Sequence, residues 1–110
     1  MGHDLYFKEV LEKFLKEFLE LFFPAVARRL DFGTVEFLDK ELPLDFPKGT
    51  SREVDVAARL KTHQGEPEVV LVHVEIQSRP EKDLAQRMFE YYALLWLRHR
   101  VPVFPIVLYL

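Results

Sequence analysis

Val69-Val70-Leu71-Val72-His73-Val74-Glu75-Ile76-Gln77 reads as a β-strand whose two faces differ in kind. Side chains alternate along a strand, so Val70, Val72, Val74 and Ile76 share one face and His73, Glu75 and Gln77 share the other. A second strand-like stretch precedes it, Arg52-Glu53-Val54-Asp55-Val56-Ala57-Ala58-Arg59-Leu60, in which Asp55 is expected to share a face with Ala57 and Arg59. If the two pair as a hairpin, Asp55 comes close to Glu75 and Gln77. Two acids held close repel each other unless a cation or a shared proton lies between them. The pattern therefore points to a divalent-metal site. The bland alternative is that Asp55 begins a strand beside Arg52 or Arg59, with Glu75 and Gln77 facing solvent at a sheet end.

Composition narrows the function classes. The chain has 110 residues, 49% hydrophobic and 30% charged, which suits one small globular domain with a single core. It contains no cysteine, so disulfides and thiolate zinc sites are excluded. No stretch approaches the roughly 18 uncharged apolar residues of a membrane span, and the N-terminus lacks a signal-peptide layout. A cytoplasmic protein without membrane contact is expected. The net charge of −3 argues against a broad basic nucleic-acid surface. A local cluster built from Arg52, Arg59, Lys61, Arg79 and Arg87 would still hold phosphates; the same residues as solvated surface are the competing reading.

Working outward, the spacing of Val10, Leu11, Phe14, Leu15, Phe18, Leu19 and Phe22 predicts an amphipathic helix over residues 4–23. Glu9, Lys13, Lys16 and Glu20 fall on its other side as i,i+4 pairs. The stripe is either core packing or, in part, a homodimer seam. Pro24 ends this helix or opens a short one through Leu30, stopped by Asp31-Phe32-Gly33. Val35 to Leu38 is a short strand or a turn of helix, and Pro43, Pro47 and Gly49 mark a loop. Lys61 to Glu68 joins the two strands. A further helix is expected over residues 81–100, burying Leu84, Met88, Tyr91, Tyr92, Leu95 and Trp96, and closed by Pro102. Val103 to Leu110 reads as a strand apolar on both faces and parallel to Val69–Gln77. A helical part over 1–33 and a core over 34–110 form a single domain ordered helix, strand, strand, helix, strand. An apolar strand of this kind at the terminus suggests a core truncated there, as in a fragment or a shortened family member.

Asp55 followed by Glu75-x-Gln77 resembles the core motif of PD-(D/E)xK nucleases, a weak signal by itself. A larger set is similar to the Rpn family of recombination-promoting nucleases and transposases. It comprises Leu38-Asp39-Lys40-Glu41-Leu42, Arg52-Glu53-Val54-Asp55, Val72-His73-Val74-Glu75-Ile76-Gln77-Ser78, the helix with Arg87 and Tyr91, and Pro105-Ile106-Val107-Leu108-Tyr109. These cover most of residues 20–110. The run His-Val-Glu-Ile-Gln-Ser before an amphipathic helix carrying Arg and Tyr is the most specific part.

The resemblance implies a restriction-endonuclease-like α/β core, a small mixed sheet flanked by helices. It implies a Mg²⁺- or Mn²⁺-dependent DNA endonuclease in a recombination or transposon context. Asp55 and Glu75 would hold the metal with the backbone carbonyl of Ile76, oxygen ligands that suit a hard cation. Gln77 stands where the general motif has Lys; it can orient water or phosphate but brings no charge. Val54 stands where the motif has Pro. Glu41 is a further catalytic acid or a plain loop residue, preferred over Glu36. Arg79 and Arg87 would contact DNA phosphate, with a structural salt bridge to Glu75 or Asp83 the other reading for Arg87. His73 is a satisfied sheet-face histidine or a ligand. The alternatives from other classes are a catalytically inactive nuclease-fold module for DNA binding or oligomerisation, and a regulator unrelated to nucleic acid.

Overall fold

The computed structural model describes residues 2–38, 54–63, 69–78 and 82–109. The expected loop acid Glu41, and Arg52 and Arg79, lie outside the described residues. The fold is mixed α/β. Eight elements follow one another as α1 (Gly2–Lys13), α2 (Leu15–Phe22), α3 (Pro24–Ala27), β1 (Leu30–Phe37), β2 (Val56–Thr62), β3 (Val69–Gln77), α4 (Leu84–His99) and β4 (Val103–Tyr109). The strands form one mixed sheet in the order β1-β2-β3-β4. β1 to β3 run antiparallel in sequence, and β4 joins β3 in parallel, as the strand–helix–strand order predicts.

The two faces of β3 are packed as the alternation requires. Val72, Val74 and Ile76 enter one core with Ala58 and Leu60 of β2, Leu11 of α1, and Leu15 and Leu19 of α2. Opposite, Leu71 and Ala57 meet Tyr91 and Leu95 of α4 together with Val54 and Val103. The sheet is thus a central layer between the N-terminal helices and α4. Each apolar face is removed from water, the main favourable term in folding.

Several local expectations are corrected. The N-terminal helix is broken at Phe14, yet Phe14 N–H donates to the Val10 carbonyl at 2.9 Å and Phe18 N–H to that of Phe14 at 2.9 Å. The spacing of Leu11, Leu15 and Leu19 therefore survives the break, and all three are buried. Asp31-Phe32-Gly33 does not stop a helix; it lies inside β1. The register of β1 on β2 shifts between Asp31 and Glu36, and Thr34 bridges the irregularity. Its Oγ1 donates to the Asp31 carbonyl at 2.6 Å and accepts from Lys61 N–H at 2.9 Å, so a side chain supplies the ladder acceptor.

β2 begins at Val56 and extends to Thr62, leaving Asp55 in a bend just before the strand. β4 pairs with β3 alone among the described residues and is an edge strand, with Pro105 and Tyr109 exposed. A proline is tolerated on an edge because its missing N–H breaks no central ladder. The α4 helix ends on Arg100 in the left-handed region (φ 55°), whose N–H donates to the Trp96 carbonyl at 2.7 Å.

Candidate active site at the ends of β2 and β3

The hairpin register sets Val56 opposite Val74 and Ala57 opposite His73. Asp55 and Glu75 therefore meet where β2 begins and β3 ends. They interlock through the backbone: Asp55 N–H donates to Glu75 Oε2 at 3.0 Å, and Ile76 N–H donates to Asp55 Oδ2 at 2.7 Å. Each carboxylate is fixed by a main-chain donor of the other strand, and such charge-assisted bonds are short and strong. The Ile76 group that meets Asp55 is its amide.

The face expected for Asp55 is not kept. Val54 and Ala57 both enter the core beneath α4, although three residues apart on a regular strand would face opposite sides. The bend at Asp55 absorbs the difference and turns its carboxylate toward α1. There Lys8 Nζ lies 3.1 Å from Asp55 Oδ1, with the side chains 19% and 17% exposed.

His73, Glu75 and Gln77 share the α4 side of β3, and none faces solvent: they are 0%, 4% and 5% exposed. The solvated-sheet-end alternative is therefore wrong for Glu75 and Gln77. His73 Nε2 lies 2.9 Å from Glu75 Oε2. A carboxylate only accepts, so Nε2 carries the hydrogen of that bond. The His73 ring also packs edge-on to Tyr91 of α4, with centroids 5.5 Å apart. Its Nδ1 is buried without a hydrogen-bond partner among the described residues.

Of the other expected site residues, Gln77 ends β3 opposite Tyr109 of β4. Arg87 is half-buried on the first turn of α4, its N–H on the Asp83 carbonyl at 2.9 Å. Glu36 is exposed on β1 and aligned with Arg59. Arg59 and Lys61 do not cluster with Asp55, since at about 3.3 Å per residue they lie roughly 13 and 20 Å along β2 from it. Arg59 instead comes near His99 at the end of α4. Burial, then Arg98 and Arg59, hold the His99 pKa below its usual value.

Sequence reasoning missed Lys8. Its signal was available: Lys8 lies three positions before Leu11, and Leu11, Leu15 and Leu19 follow at four-residue steps. It thus continues the buried stripe, unlike the exposed Lys13 and Lys16.

A family described as "Putative transposase, YhgA-like" matches residues 1–109. The chain belongs to this family. The recombination-promoting nuclease RpnC of Escherichia coli (strain K12) is 32% identical to it over 100 residues, 88% of this chain and 32% of that protein. The YhgA-like chain thus spans about a third of that curated relative's length. No solved structure matches it. Among the described residues, no helix is long and apolar enough to cross a membrane.

Proposed function

We propose that this chain carries the catalytic core of a divalent-metal-dependent DNA endonuclease acting in recombination or transposition. The observation that supports it best is the interlock of Asp55 and Glu75 at neighbouring strand ends. Family membership and the nuclease named among its relatives support it independently.

The donor set fits a hard cation. Two carboxylates meet there, and Mg²⁺ usually binds through one or two carboxylates while keeping several waters. Among the described residues no cluster of three or more His, Asp or Glu is placed to hold a metal, so the fit rests on this pair, with the Ile76 carbonyl as a further oxygen. When bound, the cation supplies Lewis-acid stabilisation of a phosphoryl oxygen and acidifies a water.

The chain's own residues do the rest. Asp55 and Glu75 hold their carboxylates in fixed positions, so little reorganisation is needed at reaction. His73 Nε2 and Asp55 N–H both meet Glu75 Oε2 and fix that carboxylate in place. Gln77 orients water or a phosphate oxygen, and Arg87 and Arg79 engage the DNA backbone, with Glu41 as a further acid. In the reaction a water oxygen bonds to phosphorus while one P–O ester bond breaks. The water's proton passes to the departing alkoxide, giving a phosphomonoester and an alcohol.

The test is nicking of supercoiled plasmid in Mg²⁺ or Mn²⁺. Cleavage lost in Asp55→Ala, in Glu75→Ala and in chelator supports the reading. Cleavage that survives both substitutions, or none by the unmodified chain, refutes it.

A second reading, an oligomerisation module on the same fold, is favoured by one observation. Phe14, Leu21 and Phe22 are 49%, 73% and 59% exposed beside a groove of about 320 Å³ lined by Phe7, Val10, Phe18 and Leu108. Sedimentation velocity tests it: a dimer that Leu21→Glu dissociates supports a seam, and a monomer at all concentrations rejects it.

A further inference from the structure

The nuclease reading leaves an electrostatic gap. Charge on the scissile phosphate must be stabilised as the bond to water forms, and the motif position that elsewhere carries a lysine is Gln77, a neutral and buried amide. Yet the structure does bring an ammonium to the site, from another part of the chain. Lys8 Nζ is 3.1 Å from Asp55 Oδ1. The opposite oxygen of that carboxylate, Oδ2, is held by Ile76 N–H, so Asp55 cannot swing away from the site to follow the lysine.

Three features make Lys8 more than a surface ion pair. It continues the stripe of α1 and α2 that packs on the sheet, a position where a lysine is out of pattern. Its helix is anchored by Leu11, 6% exposed, so the side chain is delivered to the strand ends by core packing. Its side chain is 19% exposed and that of Asp55 17%, so the pair lies at the rim of the core and not inside it.

We propose that Lys8 is the catalytic cation of this site, supplied from α1 in place of the lysine absent at position 77, and that it stabilises the negative charge building on the scissile phosphate. The assignment rests on the nuclease reading. It alters no bond change given above: the ammonium keeps its protons, and the water's proton still leaves with the alkoxide. A long flexible stem lets the ammonium leave Asp55 for a phosphate oxygen when a metal takes that carboxylate.

The chain contains no cysteine, which permits a direct test. Lys8→Cys can be alkylated at that one thiol with 2-bromoethylamine, restoring an ammonium at nearly the original length, or with iodoacetamide, which adds a neutral group. At saturating metal and DNA the nicking rate of Lys8→Cys is expected to fall by about 10²–10³-fold, as for loss of one preorganised electrostatic group. Aminoethylation should return it to within about tenfold of the original, and the neutral adduct should not. Mn²⁺ binding, read by calorimetry, should persist in Lys8→Cys, because the carboxylates remain. Lys8→Arg provides a second variant and should retain part of the rate.

Nicking that Asp55→Ala abolishes but Lys8→Cys leaves intact overturns this assignment alone. So does equal rescue by the neutral adduct, or loss of Mn²⁺ binding in parallel with loss of rate. Failure of the unmodified chain to nick overturns the nuclease reading and this assignment with it.

Discussion

The imidazole Nε2 of His73 lies 2.9 Å from Oε2 of Glu75, and neither side chain is more than 5% exposed. The histidine is the partner that makes a buried carboxylate tolerable in the sheet, together with the N–H of Asp55. His73→Leu removes the donor and leaves the acceptor. Stability should fall by about 1–3 kcal/mol, the usual penalty for orphaning a buried polar group, measured by urea denaturation. Under the nuclease reading Mn²⁺ affinity should also weaken by about 10–100-fold, as when a ligand loses its orienting partner. Unchanged stability would mean that water replaces the imidazole.

The N-terminal helices divide sharply into buried and exposed leucines. Leu19 is 0% exposed and Leu21 is 73% exposed. Leu19→Ala should cost about 2–5 kcal/mol through lost burial and the cavity left behind. Leu21→Ala should stay within about 0.5 kcal/mol. Both follow from urea midpoints at constant slope.

Thr34 holds the irregular part of β1 by bonding in both directions. Thr34→Val keeps the shape and deletes both bonds. A loss of about 1–2 kcal/mol is expected, with hydrogen exchange quickening first at Lys61 N–H.

His99 has a folded-state pKa below its ordinary value of 6.5, through burial first and then Arg98 and Arg59. The unfolded chain therefore binds this proton more readily than the folded one. Its contribution is fully present above about pH 6.5 and is lost as pH falls from there toward the lowered folded value. His99→Gln should remove that component, so the stability gap between variant and parent should change between pH 7.5 and pH 5.5. A gap independent of pH would contradict the shift.

How far the sequence reveals this molecule depends on whether a feature is local. β3 was legible because its alternation separates two face compositions, and the parallel β4 followed from the intervening helix. Only the end of β1 was glimpsed, as a short strand or helical turn over Val35 to Leu38: Asp31-Phe32-Gly33 has the look of a helix stop, and a threonine hydroxyl that patches a strand leaves no periodic trace. β4 read as buried on both faces because it is apolar, whereas its edge position depends on strand order. The meeting of Asp55 with Glu75 was foreseeable from the hairpin, but the bend that turns Asp55 toward α1 was not. Nor was the covering of His73, Glu75 and Gln77 by α4. Lys8 reaches Asp55 across 47 residues of sequence, a contact set by how α1 returns to the strand ends.

The proposed nuclease function requires Asp55 and Glu75 to act together as one divalent-cation site. Calorimetric titration with Mn²⁺ of the parent chain, Asp55→Asn and Glu75→Gln tests it most directly, since both replacements are close in shape and remove only charge. A single site is expected in the parent and is expected to be lost in each variant, with the fold of both retained by circular dichroism. Binding that persists in either variant, or its absence from the parent, would contradict it.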